Sequence, residues 1–374
     1  MNKKIYFDNG ATTMTDPLVV KAMTPYFTID YGNPSSLHSF GTKAREAVEL
    51  SRKVIATKIN AKPQEIIFTS GGTESDNLAI KGIAGLKGKG HIITSNIEHP
   101  AVLNTCKKLE TKGFKVTYLK VDNEGLINPI EVEKAIRPDT ILVTIMHANN
   151  EIGTIQPIKE IHQICLKNKI PFHTDAVQSF TKTPLSACNA DLISLSAHKI
   201  HGPKGVGALF VREGLKLERQ NDGGSHEQGF RAGTENTPSI VGFAKAVELT
   251  NNEGLTELRD YIINELLNIP NSILNGSKNK RLCNNINITF KGVEGESLLL
   301  HLDAKGIAVS TGSACSSHSL KPSHVLTAIG LKPEESHGSI RITISRFTTK
   351  EEIDYLIKSL KEIVKNLREM SPLK

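Results

Sequence analysis

Three segments carry residue types whose chemistry depends on where the chain turns. In Ser194-Leu195-Ser196-Ala197-His198-Lys199-Ile200-His201-Gly202-Pro203-Lys204-Gly205 a strand-like apolar run is followed at once by Ser, His and Lys, then by a Gly-Pro turn. A lysine at a buried strand end is costly to desolvate unless its amine is neutral or covalently used, and desolvation lowers its pKa toward Schiff-base chemistry. Alone, it reads more simply as a solvated loop lysine. In Phe68-Thr69-Ser70-Gly71-Gly72-Thr73-Glu74-Ser75-Asp76-Asn77 a strand passes through two glycines into a helix. Such a turn aims unpaired N–H groups, a positive helix end and hydroxyls at one spot, as a phosphate dianion requires. It is neither Gly-x-Gly-x-x-Gly nor a Walker loop, so it does not point to a nucleotide. His173-Thr174-Asp175-Ala176-Val177-Gln178 puts an acid at a third strand end. A phosphate cup, an acid and a lysine at strand ends match the three anchors of pyridoxal phosphate: phosphate, pyridine nitrogen and aldehyde.

A fourth segment, Ser310-Thr311-Gly312-Ser313-Ala314-Cys315-Ser316-Ser317-His318-Ser319, is small and polar with no apolar period. It reads as a mobile loop with an accessible thiol, a setting that a structural cysteine would not occupy. The other four cysteines (Cys106, Cys165, Cys188, Cys283) are far apart and are expected to be small buried hydrophobes. No C-x-x-C pair occurs, so neither a disulfide framework nor an intrinsic metal site is expected.

The elements that must position these groups are short β-branched runs at 65–69, 91–94, 115–119, 140–145, 170–174, 191–195 and 205–211, alternating with helical patterns. That alternation predicts an α/β fold, a mostly parallel seven-stranded sheet flanked by helices, with ligands beyond the carboxyl ends of the strands. A helix is predicted over 43–60. After about Gly254 the pattern changes to strands at 285–290 and 339–344 and a last helix opened by the capping box Thr349-Lys350-Glu351-Glu352. The expected division is a large unit over 15–255 and a smaller α+β unit from 1–14 and 256–374, which carries the loop at about 310–320.

The chain has 374 residues, 38% of them hydrophobic and 23% charged, which excludes disorder and a collagen-like repeat. Its formal charge of +7 is spread along the chain, and Trp is absent, so no platform for nucleic acid is visible. No run approaches the length of a membrane helix, and Met1-Asn2-Lys3-Lys4 leads into no signal-peptide core. A cytoplasmic protein without nucleic-acid or membrane partners is expected.

The sequence resembles the cysteine desulfurases of the NifS/IscS type, class V aminotransferases of pyridoxal phosphate fold-type I, over essentially its whole length. The resemblance rests on the order of Tyr6-Phe7-Asp8-Asn9-Gly10-Ala11-Thr12-Thr13, Gly32-Asn33-Pro34-Ser35-Ser36, Thr69-Ser70-Gly71-Gly72-Thr73-Glu74-Ser75, Glu98-His99-Pro100, His147-Ala148-Asn149-Asn150-Glu151-Ile152-Gly153, Ala197-His198-Lys199, Arg231-Ala232-Gly233-Thr234-Glu235-Asn236, Gly312-Ser313-Ala314-Cys315-Ser316-Ser317 and Ile340-Arg341. It implies that Lys199 holds the internal aldimine and moves protons at the substrate's Cα and the cofactor's C4′. Asp175 would keep the pyridine nitrogen protonated, His99 stack on the ring and shuttle protons to sulfur, and Gln178 bond the phenolic oxygen. Gly72, Thr73, Ser196 and His198 would bind the phosphate, joined by Thr234 from the partner of a homodimer. Asn33, Asn150 and Arg341 resemble the substrate-carboxylate group, with Asn150 also beside the cofactor; either Asn also suits a turn, and His201 reads as structural. Gly10 departs from relatives, which commonly carry Asn or Ala there.

The implied activity is an L-cysteine desulfurase. The Cys315 thiolate would take sulfur from bound cysteine, releasing alanine and leaving a persulfide for iron–sulfur cluster assembly and tRNA thiolation. The long loop matches the branch that hands sulfur directly to a scaffold protein, where Cys315 could also be a transient cluster ligand. Two other readings are a selenocysteine lyase or another β-eliminating relative, which needs the loop cysteine less, and a non-catalytic sulfur or cluster scaffold, against which Lys199 argues.

Overall fold

The structure is a computed structural model and describes residues 4–311 and 322–370. Seven strands form one sheet in the order Ile66–Thr69, Gly207–Val211, Leu192–Ser196, Phe172–Asp175, Thr140–Thr144, His91–Ser95, Lys115–Leu119. Gly207–Val211 runs antiparallel to both neighbours, and the remaining pairs are parallel.

Alternate residues of these strands feed two different cores, as a period of two requires. Ile66, Phe68, Ile93, Val143, Ile193 and Phe210 pack with Val48, Ile55, Ile161 and Phe243, so the helices Ser39–Lys58, Ile158–Lys167 and Thr237–Glu248 cover that face. Ile67, Ile92, Leu142, Leu192 and Leu209 pack with Leu78, Ile83, Val102 and Cys106 of the helices Gly72–Lys87 and Pro100–Glu110 on the other. Strand limits differ from the sequence patterns by a residue or two. The run at 170–174 begins its ladder at Phe172 because Pro171 has no N–H to donate, although its carbonyl still accepts from Val143 N at 3.1 Å. The helix expected over 43–60 starts earlier, at Ser39, where His38 caps it by accepting from Gly41 N at 3.3 Å.

A separate core, away from the seven-stranded sheet, gathers Ile262, Ile286, Leu298, Ile342 and Leu356. Its sheet orders Ser339–Thr343, Asn285–Phe290 and Ser272–Leu274, all antiparallel. Ile5 and Phe7 join this core, and Ile5–Tyr6 pairs in parallel with Ile307–Ala308. The last helix, Lys350–Met370, opens on the expected capping box: Thr349 N donates to Glu352 at 3.1 Å and Glu352 N to the Thr349 hydroxyl at 3.3 Å.

Cys106, Cys165 and Cys283 are buried, but Cys188 is exposed, contrary to expectation. It sits in the short turn Ala187–Asn189, a connection before the strand Leu192–Ser196, where apolar periodicity is absent. Cys315 lies outside the described residues. Among the described residues no helix is long and apolar enough to cross a membrane.

Candidate active site

The carboxyl ends of the parallel strands open on a cavity of about 900 Å³. Gly72, Thr73, His99, Asn150, Asp175, Gln178, Ser196, His198, Lys199 and Arg341 all line it. A smaller cavity of about 360 Å³ shares Gly72, Thr73, Ser196 and His198 and adds Lys204.

The cup is built from backbone. Gly71 has φ +151°, a conformation that L side chains rarely adopt, and it precedes the helix Gly72–Lys87 without any side-chain cap. The first N–H groups of that helix therefore keep their donors for an anion. Close packing fixes the turn: a Cβ at Gly207 would come within 2.6 Å of Gly71 Cα. Opposite the turn, the buried Ser196 hydroxyl has no hydrogen-bond partner among the described residues. His198 Nδ1 meets the Thr12 hydroxyl at 3.1 Å, and burial pushes its pKa down to about 4.

Asp175 ends its strand fully buried, with Oδ1 accepting from Val177 N at 2.9 Å. Burial raises its pKa, and His99 opposes the rise. Beneath it the buried Asp76 is raised well above the ordinary carboxyl range by burial and by the Asp175 charge. Asp76 lies 3.6 Å from His173 Nε2, which also meets the Ser194 hydroxyl at 2.9 Å. His99 caps the helix Pro100–Glu110, its Nδ1 accepting from Ala101 N at 3.1 Å. That bond assigns the proton of the neutral ring to Nε2, and burial holds the pKa below its ordinary value. Lys199 Nζ donates to the carbonyls of Gly10 at 2.6 Å and Ala11 at 2.8 Å, and Gln178 donates to the same Gly10 carbonyl at 2.8 Å.

The other wall comes from the strand Ser339–Thr343, whose Ile340 and Ile342 belong to the separate core. Arg341, buried on the strand Ser339–Thr343, donates from Nη1 to the Asn150 carbonyl at 3.0 Å and from Nη2 to Asp8 Oδ1 at 2.9 Å. Its Nε has no partner among the described residues. Asn149 shapes the adjoining turn, its carboxamide oxygen accepting from Glu151 N and Ile152 N at 2.8 and 3.0 Å. Two buried acids lie close by, Glu151 lining the cavity and Glu98 next to the lining residue His99. Glu151 accepts from the Ser323 hydroxyl at 2.5 Å, and burial raises its pKa to about 7. Glu98 accepts from the Ser95 hydroxyl at 2.6 Å, and burial raises it to about 8. The chain leaves for residue 315 at Ser310, whose N–H and carbonyl both pair with Arg341, and returns at Ser323.

Two sequence candidates lie elsewhere. Asn33 is exposed, its side chain accepting from Ser35 N at 2.9 Å in an Asx turn, and Thr234 is exposed and lines neither cavity. His201 is structural: its Nδ1 meets the Met14 carbonyl at 2.9 Å and its ring lies edge-on to Phe347. Sequence reasoning assigned no role to Asp8, Glu151, Ser323 or His324, although Asp8 and Glu151 stand inside motifs it singled out. Their signal is a contact between distant segments, which local pattern does not carry.

The donor set fits pyridoxal phosphate: an open helix start with an unpartnered hydroxyl for the phosphate, a buried carboxylate, and an amine within one cavity. Comparison with known proteins agrees. The family model described as Aminotransferase class-V matches residues 5–356. "Cysteine desulfurase IscS" of Methanosarcina thermophila is 55% identical, the match covering 100% of this chain and 95% of the relative. The protein of the same description from Dictyoglomus turgidum is 53% identical over 100% and 98%. A solved "NIFS-like protein" superposes with TM-score 0.91 at 40% identity, covering 98% of this chain and 100% of its own. "SspA in complex with cysteine" superposes with TM-score 0.85 at 42% identity, covering 93% and 100%.

Proposed function

The chain belongs to the class-V aminotransferase family, and from that premise we propose that it is a pyridoxal-phosphate-dependent enzyme that removes sulfur from L-cysteine, releasing L-alanine. The observation that carries this reading is convergence: Lys199, Asp175 and the open helix start face one cavity, and Arg341 enters it from the opposite wall. When bound, pyridoxal phosphate supplies an electron sink conjugated to the amino acid's Cα.

The chain's residues do the rest. Gly72, Thr73, Ser196 and His198 would hold the phosphate, Asp175 would keep a proton on the ring nitrogen, and Gln178 would bond the phenolic oxygen. Lys199 would anchor the aldehyde carbon and move protons at the substrate's Cα. Arg341 and Asn150 take the substrate carboxylate, the guanidinium offering a planar fork. His99 Nε2 handles the proton at sulfur. Cys315 accepts the sulfur atom: an S–S bond forms, the substrate's C–S bond breaks, and the electron pair left on carbon is protonated to give L-alanine. Ser310 and Ser323, which precede and follow residue 315 in the sequence, are fastened to Arg341 and Glu151.

The persulfide is passed to an iron–sulfur scaffold protein. The working unit is a homodimer in which Thr234 serves the partner's phosphate site. Exposed Leu18, Val20, Phe27, Ile29, Tyr31, Leu37 and Phe40 supply the apolar surface for that association. The two separate cores support a large unit over 15–255 and a small one from 1–14 and 256–374. The test is a visible spectrum of the purified protein before and after L-cysteine, with assay of L-alanine. A cofactor band that shifts, with alanine formed, is expected; a colourless protein that cannot take up the cofactor, or no alanine, overturns the reading.

A further inference from the structure

A guanidinium recognises a carboxylate well only when its plane is fixed, because two parallel N–H bonds tolerate little rotation. Arg341 is fixed by two acceptors on different Nη atoms, the Asn150 carbonyl and Asp8 Oδ1, the latter its one carboxylate partner among the described residues. Asp8 is itself held rigidly. Thr343, two residues from Arg341 on the same strand, donates from its N to the Phe7 carbonyl at 2.7 Å. Asn9 donates to the Thr343 carbonyl and Gly10 N to the Thr343 hydroxyl, each at 2.7 Å. The segment carrying Asp8 is thus zipped to the strand that carries the arginine.

Gly10 completes the arrangement. A Cβ there would stand 3.3 Å from both Cζ and Nε of Arg341 and 3.1 Å from Thr343 Cγ2, closer than most side-chain contacts. Its absence lets the backbone lie against the guanidinium, while the unpartnered Nε remains a buried donor at the cavity wall. A buried donor with no acceptor is expensive unless a ligand supplies one.

We propose that Asp8 is the positioning residue of Arg341, orienting the guanidinium toward the α-carboxylate of the amino-acid substrate. The inference rests on the reading of the cavity as an amino-acid site. It concerns recognition and not bond making, so it predicts a division between binding and turnover. In the purified holoenzyme, Asp8→Ala raises KM for L-cysteine about tenfold and leaves kcat within about threefold. L-Alanine, titrated by the shift of the cofactor's visible band, binds about tenfold more weakly, whereas cysteamine, which lacks the carboxylate, binds as before. Asp8→Asn keeps an oxygen for Nη2 and recovers most of the affinity. An unchanged KM in Asp8→Ala, equal losses for L-alanine and cysteamine, or an Asp8→Asn no better than Asp8→Ala would each overturn the assignment. If the unaltered holoenzyme shows no band shift with L-alanine or L-cysteine, the reading of the cavity fails first; if it shifts and the Asp8 variants match it, the role of Asp8 alone fails.

Discussion

The two walls of the cavity are made in opposite ways. The proposed phosphate cup is local and largely backbone: a glycine turn, the helix start that follows it, and residues at the next strand ends, all on one sheet. The proposed carboxylate seat is long-range and largely side chain: Asp8 and Arg341 are 333 positions apart and meet through one ion pair. The cup is preorganised by the same ladder that folds the sheet, so its donors cost nothing further to aim. The seat depends on a charged pair whose value lies in geometry more than in stability. The first region should therefore govern how tightly the cofactor is held, and the second how tightly a substrate's α-carboxylate is held.

The largest effects should come from residues that belong to neither wall alone. Lys199→Ala is expected to lower turnover by at least about three orders of magnitude and to remove the lysine-linked visible band. Cys315→Ala is expected to abolish sulfur release while the visible band remains. A Cys315 variant that still yields sulfur would break the division of labour between holding and accepting.

A smaller and more selective effect is expected at the cup. Ser196→Ala removes an otherwise unpartnered hydroxyl, and loss of one hydrogen bond to a charged phosphate is worth about 1.5–3 kcal/mol. Cofactor affinity should fall about tenfold or more in reconstitution titrations, with the KM of the loaded enzyme little changed. Gly10→Ala tests the seat in the converse sense. Its new Cβ would meet Arg341 at 3.3 Å and should raise KM about threefold, with cofactor content intact. A loss of cofactor in Gly10→Ala, or a shifted KM with normal cofactor affinity in Ser196→Ala, would dissolve the contrast.

The smallest effect is on stability. Glu98, held near 8 by burial, keeps a proton in the folded chain that the unfolded chain releases at a lower pH. Its stabilising contribution is whole below the ordinary carboxyl pKa and is lost as pH climbs toward 8. The Tm of Glu98→Gln, compared with the unaltered chain, should be nearly the same at pH 5 and progressively higher toward pH 8. A difference independent of pH would assign Glu98 a role in packing alone.

The same contrast explains what could be read in the sequence. The cup was legible because its parts are short runs with their own signatures: two glycines after an apolar strand, an acid and a lysine at later strand ends. The seven strands were legible for the same reason, with limits shifted where Pro171 withholds a donor. The seat was not legible, since no local pattern says that Asp8 will lie beside Arg341 or that Gly10 will lie against its guanidinium. Arg341 and Asn150 were reached only through resemblance, and Asn33, reached the same way, is in an exposed turn. Cys188 was misjudged because burial depends on what packs over a turn, which its neighbours in sequence do not disclose.

The pairing of Ile5–Tyr6 with Ile307–Ala308 has a consequence for biosynthesis. The glycine turn and the lysine have both left the ribosome long before Arg341 is translated, an interval on the order of ten seconds at ordinary elongation rates. Until Ile307–Ala308 has been made, the amino-terminal strand lacks the partner on which it lies. The carboxylate wall is thus the last part of the cavity to be completed during synthesis, because Arg341 follows every other lining residue in the chain.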